Sequence, residues 1–315
     1  MISIIIINYN LADQVKDCVY SLIKNCNTKD FELILFENGS NEKSLHNLVE
    51  ELKNLKQLNF KFIESEVNLG FGRACNQAAA SAEKEIFLFL NPDTLIGNDL
   101  IKKLNEYVLP EIYQKNLIAG LKVNSEKIFD FSAGYFPNII FEIMNIFLIG
   151  RWLEAFLVKV KTLFINQPVS LDWVMGSAII MSKDLFEKLS GFAPEYFLYF
   201  EEMDICKRAK LLGYDVKYYH QIEVNHLGSV GSKKNYYFFT KMFYKGKLTF
   251  LKKHNSNFKF KIYSYIIRLQ FYSQILFWTF MSKKYKVISE HKIKAFKELL
   301  KYLNCPSKIS NNYCA

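Results

Sequence analysis

The stretch Ile2-Ser3-Ile4-Ile5-Ile6-Ile7-Asn8-Tyr9-Asn10 decides how this chain is read. An isoleucine run this short and this uniformly apolar is a strand buried on both faces. It ends at once on Asn-Tyr-Asn and lacks a basic n-region, so it reads better as a buried strand than as a secretion signal. Asp13 follows, and then Val15, Cys18, Val19, Leu22 and Ile23 recur at helical spacing. The same alternation continues downstream, with strands expected at 31–36, 60–63 and 86–90 and helices at 44–55 and 71–82. Alternating β and α with buried strands predicts an α/β fold whose parallel sheet is covered by helices on both faces. In such sheets ligands gather beyond the carboxyl ends of the strands. The chemistry should therefore lie in Asn8-Tyr9-Asn10, Glu37-Asn38-Gly39-Ser40, Asn68-Leu69-Gly70-Phe71-Gly72 and Asn91-Pro92-Asp93-Thr94.

At 315 residues, half of them hydrophobic, the chain is ample for a large core and too apolar for disorder. Its formal charge of +10 is unevenly placed. Residues 1–232 hold 23 Lys/Arg against 29 Asp/Glu, whereas residues 233–315 hold 18 against only Glu290 and Glu298 and carry 20 of the 50 aromatic residues. An acidic body thus bears a basic, aromatic extension suited to an anionic surface. The six cysteines form no C-x-x-C pair and read as free thiols of a reducing compartment.

Residues 110–170 give no clear pattern; the Phe-, Ile- and Leu-rich part of them suits helices that pack on the sheet or touch a membrane. Order returns at Trp173–Met181, a strand-like run interrupted by Gly176 and Ser177, where a ligand or another backbone can approach. The cluster Glu201-Glu202-Met203-Asp204 then precedes a helical run, 205–212, that stops at Gly213. Near the end, 262–281 holds one charge, Arg268, between flanking lysines. Arg268, Gln270 and Gln274 make it a poor spanning helix. Ile262, Ile266, Leu269, Leu276 and Phe280 fall on one stripe, which suits a helix lying in a membrane interface or one packed on the body with a solvated lysine face.

Ile-Asn-Tyr-Asn, Glu-Asn-Gly-Ser, Asn-Leu-Gly-Phe-Gly with Asn76, Asn-Pro-Asp, Gly176-Ser177, Phe200-Glu-Glu-Met-Asp204 with Arg208, and His226-Leu-Gly-Ser229 occur in one order. The ordered set resembles the inverting glycosyltransferases of family 2, in particular their bacterial rhamnosyltransferase-like branch, over residues 2–232. The resemblance implies a GT-A fold at 1–232, α/β and Rossmann-like with a mostly parallel sheet and helices on both faces. The basic, aromatic composition of 233–315 suits a helical, membrane-associating extension after it. It implies transfer of a sugar, rhamnose by branch, from a nucleotide diphosphate donor to a lipid-linked or polysaccharide acceptor in cell-surface glycan synthesis such as lipopolysaccharide. Asn8, Tyr9, Asn10, Glu37, Asn38, Asn68, Gly70, Phe71, Asn76, Asn91, Gly176, Arg208, Ser229 and Ser232 are the expected nucleotide-sugar residues.

Asp93 and His226 are the expected ligands of Mg²⁺ or Mn²⁺, and the first carboxylate of the usual Asp-x-Asp is here Asn91. One carboxylate plus substrate phosphates satisfies Mg²⁺, while imidazole suits Mn²⁺ better. Glu202 matches the position of the family's catalytic base, with Glu201 the alternative. A base must face the acceptor hydroxyl, and a helix N-terminus keeps a carboxylate ionised. Each position also has a plainer reading. Glu37 can sit in a turn, Gly70 can serve a tight strand-to-helix turn, His226 can be structural, Asp204 can serve the helix dipole, and 226–233 can be a linker. The expected setting is the cytoplasmic face of the plasma membrane, with an anionic lipid surface and a lipid-linked saccharide as partners and no nucleic acid. A nucleic-acid binder using the basic extension, or an inactive sugar-nucleotide-binding scaffold, are the competing functions.

Overall fold

Every residue of β1 (Ile2–Asn8) is buried, because its side chains alternate between two cores. Ile2, Ile4 and Ile6 join Val15, Cys18, Val19 and Leu22 of α1 (Ala12–Asn25) on one face. Ile5 and Ile7 join small residues of other helices on the opposite face. The computed structural model describes residues 1–40, 45–97, 99–124, 132–226 and 235–303. The first half continues with β2 (Phe31–Asn38), α2 (His46–Asn54), β3 (Asn59–Ser65), α3 (Phe71–Ala80), β4 (Ile86–Leu90) and β5 (Thr94–Leu95). After α4 (Leu100–Lys103), a π-helical turn at Leu104–Val108 and α5 (Leu109–Lys115) come β6 (Ile118–Asn124) and β7 (Ala133–Gly134). Then follow α6 (Ile139–Ile146), α7 (Gly150–Leu163), β8 (Val169–Ser170), β9 (Trp173–Val174), β10 (Ala178–Ser182) and α8 (Lys183–Lys188). Last are α9 (Glu201–Leu211), β11 (Val216–His226), α10 (Tyr236–His254), α11 (Asn257–Met281) and α12 (Lys286–Leu303).

The strands lie in the order β3-β2-β1-β4-β10-β6-β11-β5, with β8 beside β11. The pairs β1·β2, β1·β4, β2·β3 and β6·β11 are parallel. β10 runs antiparallel to both of its neighbours, so the sheet is mixed. The chain leaves β1 toward β2 and β3 and returns to β4 on the other side of β1. At such a reversal, open α/β sheets place their ligands outside the carboxyl ends of the strands, here those of β1 and β4.

Contacts divide the chain into two compact units: 1–135 with 158–194 and 202–228, and 136–157 with 195–201 and 229–315. The second unit centres on α10, α11 and α12, where Leu248, Leu251, Tyr263, Ile267, Phe271, Phe296 and Leu299 form one apolar core. α6 belongs to it as well. Gln270 of α11 donates to Oε2 and to the backbone carbonyl of Glu142, and Lys247 of α10 reaches the same carboxylate at 2.6 Å with both side chains buried. The apolar stretch that sequence left open is thus shared between the units.

Within α11 the expected stripe divides. Ile266 faces the core with Phe260, Tyr263, Ile267, Gln270 and Phe271, while Leu269, Leu276 and Phe280 face outward. The helix therefore packs on one face, yet its other face is apolar rather than a lysine face. No helix among the described residues is long and apolar enough to cross a membrane.

Candidate functional site

Three strand-end loops are tied to one another by side chains. Asn8 closes β1, accepts from Leu11 N–H and donates from Nδ2 to Glu37 Oε2 at 2.6 Å. Glu37 Oε1 accepts from the Ser40 N–H at 2.9 Å and from the Ser40 hydroxyl. That hydroxyl also accepts the Asn10 N–H at 2.8 Å, and Asn10 holds a left-handed φ of 55°. Hydrogen bonds to an ionised carboxylate are the strong ones, so Glu37 binds the loops after β1 and β2 into one piece.

Asn38 does the same on its other side. Its Oδ1 accepts from Leu69 N–H, and its Nδ2 donates to Asn68 Oδ1 and to the Gly70 carbonyl. Asn68 Oδ1 in turn accepts the Gly70 N–H. Gly39 (φ 72°) allows this closeness, since a Cβ there would sit 2.6 Å from the Val67 carbonyl carbon. Gly70 (φ 80°) turns the chain into α3, whose first residue is Phe71. Tyr9 is exposed at this edge.

At the end of β4, Asn91 is fixed to Ser177 twice. Its N–H donates to the Ser177 carbonyl, and its amide donates to the Ser177 hydroxyl, both at 3.0 Å. Asp93 follows, 7% exposed. β5 and β11 pair antiparallel, with Thr94 opposite His226, so the backbone brings His226 within one residue of the register of Asp93. Of His226 the backbone is described and the side chain is not. Below this edge Cys18 is fully buried beside Thr94, and burial pushes its thiol up to about 12, which makes it a core residue and not a nucleophile.

Among the described residues no group of three or more His, Cys, Asp or Glu is arranged to hold a metal ion by itself. The buried Asp93 carboxylate is an oxygen donor of the kind that suits a divalent ion taking its remaining ligands from phosphate and water.

The third part of the site is the start of α9. Glu201 and Glu202 are its first two residues, so the carboxylates occupy the helix's first turn. Glu202 is half-buried, and Glu201 is buried. Gly176 lies against Glu202, since a Cβ at Gly176 would stand 3.5 Å from Glu202 Cβ and 3.5 Å from Phe71 Cε1. Residues expected from three separate motifs thus meet at one place. Phe71 in turn packs near Phe192, ring centroids 6.2 Å apart.

Other expected residues are occupied within the fold. Arg208 pairs with buried Asp204 at 2.7 Å and donates to the carbonyls of Leu189 and Gly191. Asp204 is thereby an ion-pair partner inside the helix. Asn76 exchanges two 2.8 Å hydrogen bonds with the Phe192 backbone, which pins the 191–192 turn to α3. Ser229 and Ser232 lie outside the described residues. Ser40 and Ser177, each quoted within its motif, emerge as the hydroxyls that hold Glu37 and Asn91. The Asn-Gly-Ser turn and the Gly-Ser break were their only signals.

Comparison with known proteins bears on the family and the fold. Residues 3–125 match glycosyl transferase family 2. The rhamnosyltransferase WbbL of Escherichia coli K12 is 26% identical over 238 residues, which are 72% of this chain and 84% of that protein. The mannosyltransferase PcManGT of Pyrobaculum calidifontis, solved with GDP-Man and Mn²⁺, superimposes with a TM-score of 0.57 at 10% identity, over 96% of this chain and 87% of that one. TarS of S. aureus gives 0.52 at 15% identity over 96% of this chain, which spans about half (52%) of the TarS chain. At such identities the two structures speak for the fold alone. The chain carries a glycosyl transferase family 2 domain and is a glycosyltransferase built on the GT-A fold.

Proposed function

We propose that the protein is an inverting, rhamnosyltransferase-like enzyme that moves a hexose from a nucleoside diphosphate donor to a lipid-linked or polysaccharide acceptor of a cell-surface glycan such as lipopolysaccharide. The observation that carries this reading is the meeting of Glu202, Gly176 and Phe71 beside the polar rim of β1 and β2. It gives one half-buried carboxylate a close backbone at Gly176 and an aromatic wall, a setting suited to a sugar ring. The likeness to WbbL favours rhamnose as the sugar, and the ligands of PcManGT favour a nucleotide sugar with a divalent ion.

In this reading Asn8, Asn10, Glu37 and Ser40 form the rim that receives base and ribose, with Glu37 holding that rim in shape. The N-terminus of α3, opened by Gly70, offers N–H groups to the pyrophosphate. Asp93, with His226, would hold Mg²⁺ or Mn²⁺, and the ion would supply positive charge against the diphosphate leaving group. Glu202 accepts the proton of the acceptor hydroxyl as that oxygen attacks the anomeric carbon from the face opposite the diphosphate. The new glycosidic bond forms as the sugar–phosphate bond breaks, and configuration inverts. The partners on the acceptor side are a lipid-linked saccharide and an anionic inner-membrane surface met by the basic C-terminal helices, with the protein peripheral on its cytoplasmic face.

Incubation with a panel of labelled nucleotide sugars and bacterial lipid extract tests it, with the product's anomeric configuration read by NMR. A product inverted relative to its donor is expected. A retained configuration, or sugar transfer undiminished by Glu202→Gln, overturns the assignment.

A further inference from the structure

The second unit leaves an apolar surface uncovered. On α11, Phe258, Tyr265, Leu269, Tyr272, Leu276 and Phe280 are all exposed, Leu276 and Phe280 to 73% and 82%. At 100° per residue the six fall within a sector of about 80°, along a helix of 25 residues and so about 37 Å long. No charged side chain of α11 enters that sector between 258 and 280. Lysines flank it instead, with Lys259 and Lys261 at one end and Lys283 and Lys284 at the other, all exposed.

α6 runs along the flank of α11, where the Ser273 hydroxyl donates to the Ile146 carbonyl, and the buried Glu142–Lys247 pair holds it there. It adds a second exposed series, Ile140, Ile143 and Phe147, followed by Trp152 at the start of α7.

An exposed apolar face this long marks a binding site. Three occupants suit exposed apolar groups, and charge separates them. Residues 233–315 hold 18 basic side chains and 2 acidic ones, so a second copy would bring like charge against like. Nucleic acid suits the charge but not Leu269, Leu276 and Ile143, which offer no stacking plane. An anionic lipid bilayer suits both: aromatic and aliphatic side chains enter the headgroup boundary while the flanking lysines meet phosphates.

We propose that the outer face of α11, extended by α6 and the start of α7, is the seat of an anionic phospholipid bilayer, with α11 lying in the plane of the interface. The inference deepens the membrane partner of the reading above and rests on it. It also places part of the seat before residue 233, outside the basic extension.

Flotation of the full chain with vesicles of phosphatidylglycerol and phosphatidylethanolamine tests it, with phosphatidylcholine vesicles as the comparison. Leu276→Glu/Phe280→Glu and Phe147→Glu/Trp152→Glu are the variants. Circular dichroism melts and size-exclusion chromatography report folding and self-association. The wild type is expected to float with the anionic vesicles, and each folded double variant to bind at least about tenfold more weakly. Wild-type binding that both variants retain overturns the apolar seat and leaves a purely electrostatic membrane partner standing. Absence of wild-type binding overturns the seat and the membrane partner together. A wild-type dimer that the glutamates dissociate, with no vesicle binding, assigns the face to a second copy and overturns the proposal.

Discussion

The two units treat their surfaces in opposite ways. At the strand ends of the first unit, polar side chains are consumed by one another: Glu37 by Asn8 and Ser40, Asn38 by the 68–70 turn, Asn91 by Ser177. In the second unit, aromatic and aliphatic side chains of α6 and α11 are left uncovered. The first arrangement makes a rigid rim from loops that would otherwise move, which is what substrate positioning requires. The second provides area rather than geometry. The difference teaches where each kind of function resides: transfer chemistry in a few fixed atoms, surface association in many interchangeable ones.

The largest effect is expected at the one half-buried carboxylate set against Gly176. Glu202→Gln should lower turnover by about 10²- to 10⁴-fold with nucleotide affinity unchanged, as removal of a general base does. Equal loss from Glu201→Gln alone would move the base by one residue. Next, core and stripe of the same helix should separate cleanly. Phe271→Ala, fully buried, should cost about 3–5 kcal/mol in denaturant melts, whereas Leu276→Ala should stay within about 0.5 kcal/mol. A comparable cost at Leu276 would show that the stripe is covered after all.

A smaller effect is expected at the rim. Ser40→Ala removes the hydroxyl shared by Glu37 and Asn10, and should weaken nucleotide binding by about three- to tenfold, near 1 kcal/mol, with turnover at saturation preserved. Isothermal calorimetry against single-turnover rates distinguishes this from a catalytic role.

The smallest concerns acid stability. Burial raises the Glu111 carboxyl, but hydrogen bonds from Lys217 and Tyr219 outweigh it and hold the group below the usual carboxylate range. Its stabilisation is therefore present above the ordinary glutamate value and lost as pH falls through the depressed one. Glu111→Gln should flatten the fall in melting temperature on acidification, and a parallel fall would remove Glu111 from that account.

How much of this was legible follows from range. β1 and α1 were readable because an isoleucine run and a helical spacing are local signals. β10 was readable as a strand, but its antiparallel direction was not, because pairing with β4 and β6 is set far along the chain. Of the residues in the ordered motifs, the fold brings Gly176, Phe71 and Glu202 together. Which polar side chains face outward was hidden. Asn76 and Arg208, which match the pattern, also bond the backbone at 189–192, a contact that residue type alone does not foretell. The α11 stripe was misdrawn for a related reason. Tyr265 and Tyr272 complete its exposed face, while Ile266 turns into the core.

The central claim is that the edge around β1 and β4 holds a nucleoside diphosphate with a divalent ion on Asp93. Thermal shift with UDP, dTDP, GDP, CDP and ADP, each with Mn²⁺, Mg²⁺ or chelator, on the wild type and Asp93→Ala, tests it most directly. Selective stabilisation by one nucleotide, dependent on metal and absent in Asp93→Ala, is the predicted result. A folded wild type that no nucleotide stabilises, or an Asp93→Ala protein that responds just as the wild type does, would contradict it.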